Sequence, residues 1–557
     1  MLFGFNIWDM LVIIAYFLFI TIWGLWIARS IKTSDSYFRG ERKFKWWIMM
    51  GQAFGTGTHA ENFVAQTGAT YQLGFSTIWY QWKNMLITPF YWLIAPWYRR
   101  SERTTIGEMV EDRYSPQLGV IYTVFAIAYF IFNQGVMLQG AAKVISIVCG
   151  HQVSSTGIII AMSAAFIIYS FFGGLVTSAY LNFLQALMII VLSMMLIPSG
   201  LIQVGGFHGM RESLSPDFFR LFSEQSGMGL FMILMLAVNG IVGITAQPHI
   251  LSMCATGNTE RAGRVGQTYG AFVKRLCTIG WALTGIIVAA MLIQRGETLP
   301  DPEMAFGYAT RELLAPGLVG LMIASILAAN MSSCSTFMVN AGALFTRNLY
   351  ELYIKKNASE KDILRMGRLS GFVLAILGVL FALTVKNVLH AFLFTETIAA
   401  FMGIMIFGGI LWKRANRYGA LAAVISSFGL YYLLNYLQSG QLMLVYKWTP
   451  APFGWAMLAG FTTLIIVSLL TKAEDPQRID RFFDNMNRLS DTGVAIKEKP
   501  LAKDHGKDLI LLDVTGWFSK KRWQGFRKRY REDIVGFFLA WGMVGLLVLL
   551  AWGIMQF

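Results

Sequence analysis

The chain has 557 residues, 55% of them hydrophobic and 14% charged, with a mean hydropathy of +0.54. That is too apolar for a soluble globular protein of this length, and it specifies a polytopic, all-α membrane protein. The net charge of +15 does not imply a nucleic-acid partner, because the basic residues fall mainly in alternate loops between apolar spans, the positive-inside pattern.

About 20 apolar residues cross a hydrocarbon core, and that rule predicts about fourteen spans along this sequence. The first, 7–29, has no basic region ahead of it and no small-residue cleavage site, so it reads as a retained helix and not a signal peptide; residues 1–45 then form a leading helix and a cytoplasmic loop. The second span, 46–72, contains GQAFGTGTHAEN at 51–62. Gly51, Gly55 and Gly57 with Thr56 and Thr58 weaken it near its middle. Such a stretch either frees carbonyl oxygens for a cation or lets neighbouring helices pack closely through small residues. Glu61 in this span and Lys83 in the next, 75–98, are ionisable groups at membrane depth. Lys83 is expected to neutralise Glu61, the alternative being attraction of an anionic solute. His59 is expected to be a packing residue, the alternative being a proton carrier.

A cytoplasmic segment at 101–116 is followed by spans at 118–148, 154–172 and 178–203, and Lys143, near the end of its span, is expected to snorkel to the interface. Outside loops at 204–227 and 295–315 flank spans 228–252 and 268–294. The next span, 317–346, carries MSSCST at 331–336. Adjacent hydroxyls on one turn either face an ion or a neighbouring helix, or bond back to their own helix. Spans at 366–385, 389–412 (with Glu396), 418–438 and 452–471 follow. The hydrophilic stretch 472–533 ends in KKRWQGFRKRYRED and abuts a last span at 534–555; its basic, aromatic part, 520–531, is expected to bind anionic lipid in preference to RNA.

The loops assigned outside hold few basic residues (Arg211, Arg220, Arg295, Arg311, Lys386 and Lys447), which places both termini outside. Cys149, Cys254, Cys277 and Cys334 show no metal-type spacing. No HExxH, GxSxG, phosphate loop or catalytic carboxylate pair occurs in a suitable context, so no enzyme is expected.

Five segments, SDSYFRGERKFKWW (34–47), FFGGLVTSAYLNFLQALMI (171–189), AQPHILSM (246–253), AANMSSCSTFMVNAGALFTRNLY (328–350) and GGILWKRANRYGA (408–420), resemble the sodium:solute symporter family in type and order, and the resemblance covers about 7–470. It implies a LeuT-type fold of two inverted five-helix repeats with one leading and three trailing helices, each repeat opening on a helix broken at the midplane. The repeats are placed at 46–252 and 253–438, followed by an additional helix in 439–471, the basic segment 472–533 and a C-terminal helix in 534–557.

The resemblance further implies a sodium ion as coupling ion and import of a small polar solute by alternating access. The implied sodium ligands are backbone oxygens of Gly55, Thr58 and Ala329 and the hydroxyls of Ser332 and Ser333; neutral oxygens suffice for a hard monovalent cation. A second sodium site in some members maps to Ser335, Thr336 and Asn182. Asn182 stands where those members have aspartate, so a second ion is expected to bind weakly and one sodium to accompany each solute. Implied solute contacts are Asn62, Gln81, Asn239 and, with a one-residue slip, Lys274. Gln81 replaces an acidic residue of the sugar transporters, and Phe392 stands near a glutamine of theirs. A sugar or polyol is placed first, an amino acid or organic anion is the alternative, and a transporter-like sensor is the competing class. The expected location is a bacterial inner membrane.

Overall fold

Backbone groups at membrane depth find no water to bond, so apolar runs fold as helices. The computed structural model describes residues 5–29, 31, 33–487, 509–518, 523 and 525–557, and ten helices among them are long and apolar enough to cross a bilayer. The larger helices are α1 (Ile7–Ala28), α2 (Trp46–Thr56), α3 (Ala60–Leu73), α4 (Thr88–Ser101), α5 (Ile106–Arg113), α6 (Pro116–Val148), α7 (Ser155–Val204), α8 (Leu230–Gly243), α9 (Ile250–Ala255), α10 (Glu260–Arg295), α11 (Leu318–Phe345), α12 (Glu360–Ala382), α13 (Val388–Leu411), α14 (Arg417–Ser439), α15 (Pro450–Leu470), α16 (Pro476–Met486) and α17 (Arg531–Ile554). Among the described residues there is no β-strand; two isolated bridges pair Phe44 with Gly257 and Ser223 with Met228.

The remaining predicted spans are assembled from shorter pieces. α2 and α3 divide one span, and α8 and α9 divide another. α4 is entered through a 3-10 turn, Phe75–Ile78, and a single helical turn, Trp79–Trp82. α7 holds two spans joined at Gly174, whose φ of 53° and ψ of −156° lie outside the helical region. A Cβ at Gly174 would lie 2.5 Å from Cδ2 of Tyr37 and 2.7 Å from its carbonyl oxygen, so both the dihedrals and the approach require glycine.

Burial separates an inner bundle from a lipid-facing shell. The apolar stretches of α10, α11 and α13 are 89%, 89% and 94% buried, against 17% for α1 and 33% for α12, α14 and α15. The polar residues of α11 therefore face protein and not lipid, where most of them find partners.

The interruptions point to another placement of the repeats. α10 is continuous, and the second broken helix is α8/α9, at Gln247–His249. Counting five spans from each break, we propose that the halves meet within 205–229. The sequence boundary at 252 gives the first half six spans.

One charged group also departs from expectation. Lys143 does not snorkel: its ammonium donates to Asp301 (2.8 Å), to Glu303 and to the Lys386 carbonyl (3.1 Å). Glu303 in turn accepts from the backbone N–H groups of Val388 (2.9 Å) and Leu389 (3.0 Å) at the N-terminus of α13, where unsatisfied donors and the helix dipole favour a carboxylate. Following α15, α16 buries Ile479, Phe482, Phe483 and Met486, one stripe of the helix, and Arg478 donates to the Tyr114 carbonyl. Residues 520–522 and 524 of the basic segment lie outside the described residues; Trp523, Phe526 and Tyr530 stack in series, with ring centroids 4.9 and 5.0 Å apart. All four cysteines are buried and free.

Candidate ion and solute site

The helix break after Thr56 exposes the last carbonyls of α2, which have no partner within their own helix. Across from them, the Ser332 hydroxyl donates to Gly55 O at 2.9 Å and lies 3.1 Å from Ala329 O. The Ser333 hydroxyl lies 3.1 Å from Thr56 O and 3.3 Å from both Gly55 O and Ala329 O. Five neutral oxygens, two hydroxyl and three carbonyl, thus converge between α2 and α11. Four of the five predicted residues meet here. Thr58 is buried in the break, and the further α2 carbonyl within reach of the serines is that of Thr56. No group of three or more His, Cys, Asp or Glu suited to a metal occurs among the described residues. The cluster offers dipoles and no full charge, a field suited to a monovalent cation.

The break is held open from α11. The Ala60 N–H, an orphan donor at the start of α3, bonds Oδ1 of Asn330 at 2.9 Å, and the Asn330 amide donates to Met137 O of α6 at 2.7 Å. On its other side Gly55 lets α2 approach α7: a Cβ there would lie 2.8 Å from the carbonyl oxygen of Asn182.

At the second predicted ion position, Asn182 donates to the hydroxyls of Thr56 (2.9 Å) and Thr336 (3.3 Å), and Ser178 and Thr336 lie 2.7 Å apart. The amide nitrogen fills the place between these hydroxyls. Ser335 is buried nearby in sequence, with a hydroxyl that has no hydrogen-bond partner among the described residues.

The four predicted solute residues do not share one surface. Asn62 caps α3, its Oδ1 accepting the His59 N–H at 3.1 Å. Gln81 is buried and its carbonyl accepts from Arg275 at 3.1 Å. Asn239 accepts from Lys83 at 2.7 Å. Lys274 lines a cavity of about 70 Å³, where its ammonium donates to the Gly57 carbonyl. Lys83 does not pair with Glu61: it donates to Glu396 at 3.0 Å, and Glu61 instead faces His59. The second helix of the repeat carries Lys83 toward α13 and away from α3, a direction that spacing along the chain does not specify.

The cavity is bounded by both helix breaks. Gly57 and His59 come from the first, Gln247 and His249 from the second, Tyr129 and Asn133 from α6, Gln267, Lys274 and Arg275 from α10, and Phe392 and Glu396 from α13. His249 stacks on Tyr129, with ring centroids 6.2 Å apart at 22°. Sequence reasoning had not assigned His249, Gln247, Asn133 or Gln267 to the site. The available signal was a histidine and a glutamine flanking a proline inside an apolar span, the pattern of an unwound helix lining a cavity.

The Sodium:solute symporter family matches this chain over residues 37–427. The osmoregulated proline transporter OpuE of Bacillus subtilis is 26% identical over 82% of this chain and 94% of its own. A sodium/glucose cotransporter of Vibrio parahaemolyticus is 23% identical over 78% of this chain and 86% of its own, and human sodium/myo-inositol cotransporter 2 is 25% identical over 75% and 68%. Among solved structures, a Na+-coupled sialic acid symporter in a substrate-bound outward-open state superposes with a TM-score of 0.69 at 18% identity, covering 84% of this chain and 99% of that one. Mhp1, a nucleobase-cation-symport-1 family transporter, superposes at 0.51 with 13% identity, covering 81% and 98%. The fold is the LeuT type, an all-helical membrane architecture. With two broken helices, a cluster of neutral oxygens beside the first and a match over most of its length, the chain belongs to the sodium:solute symporter family.

Proposed function

We propose that this protein is a secondary active symporter that imports a small polar organic solute together with one sodium ion by alternating access. A sugar or polyol is the first solute class, with an amino acid or organic anion as the alternative. One observation carries the reading: the oxygen cluster of Gly55, Thr56, Ala329, Ser332 and Ser333 adjoins the break that also lines the polar cavity. A cation bound by those oxygens fixes the end of α2, and through Gly57 and His59 it shapes the cavity wall. Sodium and solute then bind with positive linkage, each raising affinity for the other. One sodium per cycle fits Asn182, whose amide supplies a donor where a second cation would need an acceptor.

Both termini are placed outside, in a bacterial inner membrane, with the 520–531 segment against anionic lipid. Purified protein titrated with sodium in a constant background of potassium tests the ion site. The thermal midpoint is expected to rise with sodium by ligand linkage and to stay flat in the double variant Ser332→Ala, Ser333→Ala. Equal midpoints in sodium and potassium for the parent protein would refute coupling to sodium.

A further inference from the structure

The charges around the cavity do not balance. Apart from the phenols Tyr91 and Tyr129, its ionisable lining is His59, His249, Lys274, Arg275 and Glu396. Glu396 is already satisfied: one oxygen accepts from Lys83 and the other from Gln247, both at 3.0 Å. Glu61, behind the lining, faces His59. Lys274 donates to the Gly57 carbonyl, Arg275 donates to the Gln81 carbonyl and bonds the Tyr91 hydroxyl, and no carboxylate among the described residues lies within ion-pair distance of either cation. A cation at membrane depth without a counter-charge is costly, and a carboxylate brought in by the solute removes that cost. Lys274 is also the member of this group that keeps part of its surface open, toward the cavity.

Further polar atoms in the same lining lack partners. Nδ1 of His249, Oδ1 of Asn133 and Oε1 of Gln267 are buried without a hydrogen-bond partner among the described residues. The last two are acceptors, which call for donors on the ligand. A solute with an anionic group and hydroxyls meets both demands, whereas a neutral polyol leaves the charge uncompensated.

We propose that the solute is a small hydroxy acid, its carboxylate held by Lys274 and His249 and its hydroxyls by the amide oxygens of Asn133 and Gln267. This inference rests on the symport reading and, for the same site, puts the organic-anion alternative ahead of the sugar or polyol.

Matched probes that differ only in the carboxylate test it: gluconate against glucitol, lactate against propane-1,2-diol, and proline against prolinol. Thermal midpoints of the full-length protein are titrated with each probe, in sodium and in potassium. In sodium, gluconate or lactate is expected to bind about tenfold or more tightly than its alcohol, the gain typical of a charge-assisted hydrogen bond. In the variant Lys274→Gln that preference falls to about threefold or less. The rise with sodium alone reports that this variant is folded; if it is not, the matched pairs on the parent protein decide. Tighter binding of the alcohols, or no binding of either hydroxy acid, overturns the assignment, and binding of proline alone replaces a hydroxy acid by an amino acid. Loss of the sodium response in the parent strikes the symport reading instead, so the two failures are distinct.

Discussion

Ser332 and Ser333 each supply one of five neutral oxygens, and each also braces the end of α2 by donating to its carbonyls. Replacing either by alanine removes a proposed ligand and a brace together. Sodium affinity, read from the midpoint titration, is expected to fall about tenfold to a hundredfold for each single variant, or about 1.4 to 2.8 kcal/mol. In the proposed cycle, Asn182 is the residue that decides stoichiometry. Its amide nitrogen occupies the space between the Thr56 and Thr336 hydroxyls, so the parent protein should titrate with a Hill coefficient of about 1. Asn182→Asp puts an anionic acceptor in that space, and the coefficient should move toward 2, since it is bounded by the number of interacting sites. An unchanged coefficient in the aspartate variant would show that the hydroxyls of Thr56, Ser178 and Thr336 do not form a second site.

At the scale of elements, the break between α2 and α3 depends on a residue from another helix. Asn330 caps Ala60 and ties α11 to α6. Asn330→Ala strands the α3 donor and should lower stability by about 1 to 2 kcal/mol, the cost of a lost helix cap, seen as a lower thermal midpoint both with and without sodium. A second junction joins the segment at 301–303 to α6 and α13 through Lys143, Glu303 and the first N–H groups of α13. Glu303→Ala leaves a largely buried ammonium with a weaker set of partners. The expected loss is on the order of 3 kcal/mol, because a stranded charge costs more than the pair contributes. The double variant Lys143→Met, Glu303→Leu should lose less than the single one. Equal losses would mean that the bonds to Val388 and Leu389, and not the ion pair, hold the segment.

For the whole molecule, the proposed coupling of one sodium to one solute would fix the charge moved per cycle. A neutral solute would carry the sodium charge inward, worth about 2.3 kcal/mol per 100 mV. A monocarboxylate cancels it. Protein reconstituted on a solid-supported membrane should therefore give no steady solute-induced current with gluconate or lactate in sodium, while radiolabelled uptake proceeds. A sodium-dependent inward current of the size expected for one charge per solute would exclude the monocarboxylate with this stoichiometry. Topology is tested independently: a small tag after Phe557 should be cut by protease added to intact spheroplasts, as both termini outside requires.

The apolar spans, their approximate limits, the weakness of the helix at Gly55–Thr58 and the hydroxyl pair at 332–333 were legible in the sequence. Each depends on residue type within one or two turns of helix. The family resemblance brought four of the five expected ion ligands into one place. The second break, at Gln247–His249, was missed because proline and two polar residues within an apolar run are also compatible with a kinked but continuous helix. Partners of the buried charges were equally out of reach: Lys83 meets Glu396 across 313 residues, and Lys143 meets Glu303 across 160. Sequence by itself determined which segments enter the bilayer, because hydrophobic burial is local and additive along a helix. Only the tertiary structure decided which charges neutralise each other and which are left facing the cavity, because that depends on the direction each side chain takes once the helices have packed.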